Sequence, residues 1–188
     1  MMVLIERGGP VMWPLLGLSV LALAVVLERL WYLTRVAGPG SGRLFERYLL
    51  CLGEGQAIEV YGTTVYARLL WRLGDRRSHA AVRAAVQREV VGLGRFLPVL
   101  SLVITVAPML GILGTVLGII ESFEVLSAGA RSLEPREVGG GIAQALVTTA
   151  VGLGIAVVAV VAYQLLGGWV KRVEGRLGLL ADALIESS

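Results

Sequence analysis

The sequence predicts an all-α membrane protein, with three transmembrane helices and long cytoplasmic helical extensions. Three observations carry that expectation. First, three long runs hold no charged residue: Gly8 to Leu27, Phe96 to Ile120 and Val138 to Val170. Each reaches the roughly 20 apolar residues a helix needs to cross a bilayer. Second, only 16% of the 188 residues are charged and the mean hydropathy is +0.77, whereas a soluble domain carries about 25% charged residues. Third, the arginines gather between the first two runs, as positive residues do on the cytoplasmic side of membrane helices.

Residues 1–33 hold an N-terminal segment and the first span. Arg7, an apolar run and Ala22-Leu23-Ala24 resemble a secretory signal with a small-residue cleavage site. The run, however, continues to Leu27, and Trp13 and the pair Trp31-Tyr32 bracket it as interfacial anchors. Arg29 and Arg35 follow it, the wrong side for a signal peptide, so a retained membrane helix is expected. Glu28 and Arg29, at its inner end, are expected to snorkel to the interface or to pair with neighbours.

Residues 34–95 form a cytoplasmic helical loop rather than a separate domain. Gly38-Pro39-Gly40-Ser41-Gly42 breaks the chain after the first span. Apolar spacing then suggests helices over Arg43–Leu52 and Gln56–Leu73, with Gly74-Asp75 ending the second. From Ser78, a plausible N-cap, the residues Ala81, Val82, Ala85, Val86, Glu89 and Val90 read as an amphipathic helix able to run directly into the second span. His79 reads as a solvated or structural residue, since a single histidine cannot build a metal site. Cys51, the one cysteine, excludes an internal disulfide.

The second span occupies residues 96–123, a short periplasmic connection 124–137, and the third span 138–170. The connection is poor in arginine, with Arg131 and Arg136 against Glu121, Glu124, Glu134 and Glu137 nearby. Lys171, Arg172 and Arg176 follow the third span and open a cytoplasmic C-terminal helix over 171–188. The topology is therefore read as N-terminus outside, large loop inside, short connection outside and C-terminus inside.

Both later spans carry small residues at helical spacing. In the second, Gly111, Thr115 and Gly118 share one face, Gly114 and Gly118 form a small-xxx-small pair, and Pro108 removes one backbone hydrogen bond. In the third, Ala145, Thr149, Gly152 and Ala156 form a stripe with Thr148 beside it. Such stripes permit close helix contact. The threonines read two ways: as packing residues bonded to helix backbones, or as hydroxyls lining a cavity shared with a partner's ionisable group. Gln144 brings a polar group into the third span and needs a partner or water. Glu121 reads as a solvated helix end or as a residue at a pore mouth.

No nucleophile–base pair, P-loop or metal-ligand spacing is present in the sequence, so neither enzymatic activity nor a cofactor is expected. Gly139-Gly140-Gly141 lacks the Lys-Ser/Thr that a phosphate cradle requires. The formal charge of +3 is spread rather than concentrated, so no nucleic-acid partner is expected. No Asp or Glu lies near the middle of any charge-free run. A chain that moved ions through such spans would need a carboxylate from elsewhere.

Ala107-Pro108-Met109-Leu110-Gly111-Ile112-Leu113-Gly114-Thr115-Val116-Leu117-Gly118, followed by Gly141-Ile142-Ala143-Gln144-Ala145-Leu146-Val147-Thr148-Thr149-Ala150-Val151-Gly152-Leu153, resembles the MotA/TolQ/ExbB proton-channel family, and its ExbB/TolQ branch most closely. The resemblance runs from Ala107 to Lys171 and includes Glu28-Arg29-Leu30. It implies a homo-oligomeric ring, expected to be a pentamer, in a bacterial inner membrane. Inside the ring it implies an ExbD/TolR-like single-span partner that supplies a membrane aspartate. Proton flow would then energise TonB-dependent transport through a TonB-like protein, or Tol-Pal envelope function through a TolA-like one. The family's pore threonines map onto Thr115 and Thr149, and a glutamate common in the family maps onto Gln144, where this chain departs. The alternatives are a non-conducting oligomeric scaffold and a MotA-like stator subunit; MotA-like chains usually have four spans, against the three read here.

Overall fold

The computed structural model describes residues 9–38, 40–54, 62–74, 78–127 and 135–186, with the side chains of 125–127 and 135–138 outside the description. Among the described residues the secondary structure is helical: α1 (Met12–Ala37), α2 (Ser41–Gly53), α3 (Val65–Leu73), α4 (His79–Gly94), α5 (Leu97–Ser127) and α6 (Pro135–Glu186). Three of the helical stretches are long and apolar enough to cross a membrane. The all-α expectation with three spans is met.

The chain divides into two compact units, Met1–Val26 with Pro98–Tyr163, and Leu27–Leu97 with Gln164–Ser188. In the first, α5 buries Leu100, Val103 and Ala107, then Gly111, Gly114 and Gly118. The facing residues of α6 include Ala145, Thr148, Gly152 and Ala156. Most large side chains of these helices remain exposed, among them Met109, Ile112, Leu113 and Val116 on α5, and Leu153, Val157 and Val158 on α6. Lipid solvates such side chains as well as a protein core does, so from Ala107 onward size rather than polarity separates the buried face from the exposed one.

The second unit follows the rules of a water-soluble bundle. Leu166, Val170, Val173, Leu177, Leu180 and Leu184 of α6 are all buried, at alternating spacings of four and three that keep one seam facing its neighbours. α2 contributes Phe45, Tyr48 and Leu52, and α3 contributes Val65, Tyr66, Leu69 and Leu73. The Phe45 and Tyr66 rings lie 5.4 Å apart in a tilted arrangement. Burial pushes the Tyr66 phenol above its ordinary pKa, a rise that nearby Arg176 opposes.

Local signals set the helix ends. α2 starts at Ser41, whose N–H donates to Gly38 O at 2.9 Å. α3 starts at Val65 because the Thr64 hydroxyl accepts from Ala67 N–H. The expected helix Gln56–Leu73 is thus shorter at its start: residues 56–61 lie outside the described residues, and 62–64 form a bend with Gly62 at φ +88°. Gly74, at φ +48°, closes α3 with its N–H on Leu70 O. Ser78 caps α4 as expected, accepting from Ala81 N–H at 3.4 Å.

α4 does not run unbroken into the second span: a turn at Arg95–Phe96 separates α4 from α5. Pro98 explains the break, since it has no N–H for the carbonyl of Gly94. Arg29 occupies the junction. Its guanidinium donates to Gly92 O at 3.1 Å and Leu93 O at 3.3 Å, pairs with Glu28, and lies over the rings of Tyr32 and Phe96 at 4.6 and 4.9 Å. A cation on the last carbonyls of a helix is favoured by its dipole. At 3% exposure Arg29 is therefore a buried joint; of the two expected fates, it pairs rather than snorkels.

Glu89 holds the other buried charge among the described residues. It sits in the apolar seam of α4 at 5% exposure and pairs with Arg68 at 2.9 Å and Arg72 at 3.5 Å from α3. Arg68 also donates to the Tyr32 hydroxyl at 3.2 Å, which ties α1 into the same network. Removing the carboxylate leaves two guanidinium groups facing an apolar seam. Glu89→Gln is expected to cost about 2 kcal/mol, less than a fully buried pair because both arginines are part-exposed. Thermal unfolding in detergent, followed by tryptophan fluorescence, reads the loss; an unchanged midpoint would show that the pair carries no net stability.

Candidate functional site

The candidate site is built from the facing small-residue surfaces of α5 and α6. A Cβ at Gly114 would stand 2.5 Å from Thr148 Cγ2, one at Gly118 would stand 2.8 Å from Ala145 Cβ, and one at Gly152 would stand 2.6 Å from Ala107 O. A Cβ at Gly111 would stand 3.1 Å from Thr149 Cα. Each glycine thus meets a residue of the opposite helix, where a Cβ would collide at Gly114, Gly118 and Gly152 and crowd at Gly111. The two backbones come close enough for side-chain hydroxyls to reach across.

One does. Thr149 Oγ1 donates to Gly111 O at 2.7 Å, a bond between α6 and α5. Gly111 O lies one turn before Thr115, so the two threonines singled out in the sequence fall within one helical turn of each other. Thr115 behaves differently. Its hydroxyl donates to Ile112 O of its own helix at 2.6 Å, and the residue is half-exposed. Thr148 is 1% exposed and donates to Gln144 O at 3.1 Å. It stands inside the contact, opposite Gly114, rather than beside it as the sequence stripe suggests.

The other candidates separate by position. α5 continues through Pro108, which is half-buried one residue from the carbonyl that Gly152 approaches. Gln144 is half-buried, and a Cβ at Gly9 would stand 2.6 Å from its Nε2, so its amide rests against the backbone just before α1. Glu121 is exposed. The structure therefore brings together Gly111, Gly114, Gly118, Ala145, Thr148, Thr149 and Gly152, and leaves Glu121 outside the contact.

Sequence reasoning missed Ser122 and the role of Gly141. Ser122 is buried, donates to Gly118 O at 2.8 Å, and occupies the space that a Cβ at Gly141 would need. The signal was available: Ser122 continues the buried spacing Gly111, Gly114, Gly118 by four residues. Its place beside Glu121, at the edge of the charge-free run, hid it.

Hydroxyls that bridge backbones in a charge-free interior can orient water or a partner's carboxyl group. They cannot hold a charge of their own near neutral pH. No ionisable side chain lies among the facing residues.

A family model described as the MotA/TolQ/ExbB proton channel family matches residues 65–178, which include α3, α4, α5 and most of α6. Two proteins of Synechocystis sp., named as ExbB-like biopolymer transport proteins, are similar in sequence. ExbB-like 3 is 31% identical over 134 residues, covering 65% of this chain and 63% of its own length. ExbB-like 1 is 32% identical over 135 residues, covering 65% of this chain and 52% of its own length. The chain thus spans less than two thirds of the length of each.

The geometry makes the α5–α6 contact sensitive to a single methyl group. Gly114→Ala places a Cβ against Thr148 and is expected to cost about 2 kcal/mol of stability. Thr148→Ser removes the Cγ2 that is met first. Combined with Gly114→Ala it should recover part of that loss, a coupling of roughly 1 kcal/mol. A double-mutant cycle of detergent unfolding midpoints measures it; strict additivity would mean that the two residues do not meet.

Proposed function

The chain belongs to the MotA/TolQ/ExbB proton channel family, and from that membership we propose that it is the ring-forming subunit of an ion-motive-force-driven motor. The ring is a homo-oligomer, a pentamer by analogy with the family. An ExbD/TolR-like single-span protein within it supplies the membrane aspartate that this chain's spans lack. Proton passage through the assembly energises a TonB-like protein and transport across an outer membrane. The ExbB-like names of the two relatives favour this over Tol-Pal envelope function. The assembly lies in a bacterial inner membrane, with the N-terminus periplasmic and the second unit cytoplasmic.

One observation carries the reading. The family match covers two adjoining spans whose facing surfaces are made of glycines, alanines and threonines, with Thr149 and Thr115 within a turn of each other. Thr115 and Thr149 are assigned to the ion path with Thr148 and Gln144 near them, and Glu121 to its outer mouth. Moving one charge through the membrane potential releases about 2.3 kcal/mol per 100 mV. A desolvated partner carboxyl group stays neutral unless it is stabilised. Threonine hydroxyls offer it hydrogen bonds without an opposing charge that would trap it.

A second reading has an observation of its own. The hydroxyls of Thr115, Thr148 and Thr149 each already donate to a backbone carbonyl, as expected of a non-conducting scaffold whose threonines only pack. Thr115 decides between the two. Its hydroxyl bonds only locally and its side chain is half-exposed, so Thr115→Val leaves the α5–α6 contact intact. In cells lacking their own homologue but carrying the partner protein, Thr115→Val is expected to lower energy-dependent uptake about tenfold or more, with normal assembly. Full uptake by an assembled Thr115→Val ring would favour the scaffold.

A further inference from the structure

The charge-free run of α5, Phe96 to Ile120, carries three hydroxyl side chains: Ser101, Thr105 and Thr115. Of these, only Thr115 belongs to the ion path proposed above. On a helix of 3.6 residues per turn the three fall within an arc of about 80°, with Pro108 between them.

That arc is not the packed face of α5, which buries Leu100, Val103, Ala107, Gly111, Gly114 and Gly118. Ser101 and Thr105 are exposed, and Thr115 is half-exposed. Nor is it the most apolar face. Leu102, Met109, Leu113 and Val116 are exposed too, and they lie about 90° further round the helix. Every hydroxyl of the run therefore sits on one open side, apart from the large apolar side chains.

Depth makes this placement costly in lipid. Pro108 is the middle residue of the run. Ser101 lies seven residues from it, about 10 Å along the axis, within the roughly 15 Å half-thickness of a hydrocarbon core. Thr105 lies deeper still. Thr105 donates to Ser101 O at 3.2 Å, but the Ser101 hydroxyl has no hydrogen-bond partner among the described residues. A backbone group adds to the demand. Pro108 has no N–H for Ile104 O, so this carbonyl loses its helical partner beside Thr105 at mid-span. Polar groups in such a place call for water or for protein around them.

We propose that Ser101 and Thr105 line a water-filled inner half of the ion path, on the cytoplasmic side of Thr115. The proposal rests on the ring reading above, in which Thr115 faces the path and the N-terminal end of α5 is cytoplasmic. Thr105 and Thr115 are ten residues apart, about 15 Å along the axis, too far for one hydroxyl to pass a proton to the other. Water bridges that gap. A partner's carboxyl group at Thr115 gives its proton to this water and is left as a carboxylate. The proton then travels past Ile104 O, Thr105 and Ser101 to the cytoplasm.

Single cysteines test the hydration. In a Cys51→Ser chain, which has no other cysteine, the variants are Ser101→Cys, Thr105→Cys, Leu102→Cys and Met109→Cys. Each is assembled with the partner protein in inverted membrane vesicles and treated with a charged methanethiosulfonate, which reacts with the thiolate and so requires water. Ser101→Cys and Thr105→Cys are expected to label about tenfold faster, or more, than Leu102→Cys and Met109→Cys. Equal rates at all four positions, or slow labelling at either hydroxyl position, overturn the proposal. Ser101→Ala/Thr105→Val keeps the side-chain volume and removes both hydroxyls. It is expected to lower energy-dependent uptake about fivefold in assembled rings, and full uptake overturns their part in the path. Labelling does not depend on conduction, so the two readings fail separately. Slow labelling beside a strong Thr115→Val defect refutes the inner half alone. Full uptake by Thr115→Val beside fast labelling refutes the ion path and leaves only a hydrated face.

Discussion

The membrane unit depends on the absence of side chains along α5. Between two helices in lipid there is no hydrophobic gain from contact, because the lipid tails are as apolar as the residues they replace. What remains is van der Waals fit and hydrogen bonding, and both require the backbones to be close. Gly111, Gly114, Gly118 and Gly152 supply that closeness, each meeting the opposite helix where a Cβ would collide or crowd. The bond from Thr149 to Gly111 O is a consequence of this approach. With bulkier residues at these positions, the helices would move apart and the hydroxyl could not reach.

The second unit solves the opposite problem. Its interior is organised by apolar burial, and α6 presents an uninterrupted buried seam from Leu166 to Leu184. Among the described residues, two charges nevertheless enter this interior. Arg29 is tolerated because it meets the helix-terminal carbonyls of Gly92 and Leu93, the Glu28 carboxylate and two aromatic faces. Glu89 is tolerated because two arginines reach it. Leaving a buried charge unpaired costs far more than a pair gains, so these contacts serve to fix geometry. They join α1 to α4 and α3 to α4, and hold the C-terminal end of α4.

The sequence revealed these layers unevenly. The spans were legible because a water-exposed helix rarely goes 20 or more residues without a charge, while a bilayer demands it. The caps at Ser78 and the stop at Gly74 were legible because they are local chemistry. The start of α3 was read too early, since apolar spacing does not show that Thr64 will cap a helix and that Gly62 will take a positive φ. The partners of Glu89 were not legible: Arg68 and Arg72 are one helix away, and nothing local marks them among many arginines. The small-residue faces of α5 and α6 were visible, but their registry was not. Spacing placed Thr148 beside the stripe, whereas contact with Gly114 puts it at the centre.

This registry separates threonines that composition treats alike. Thr148 is enclosed, and its hydroxyl returns to its own helix while its methyl group fills the hollow at Gly114. Losing it would open a void in a tight contact. Thr149 spends its hydroxyl on a carbonyl of α5, so it fastens the two spans together at the cost of freedom to bond elsewhere. Thr115 makes only a local bond and keeps part of its surface open. A hydroxyl so placed can exchange its acceptor for a water or a passing carboxyl group without disturbing the packing. On the ion path we propose, the side chain best suited to meet a partner's carboxyl group is therefore the one the packing needs least.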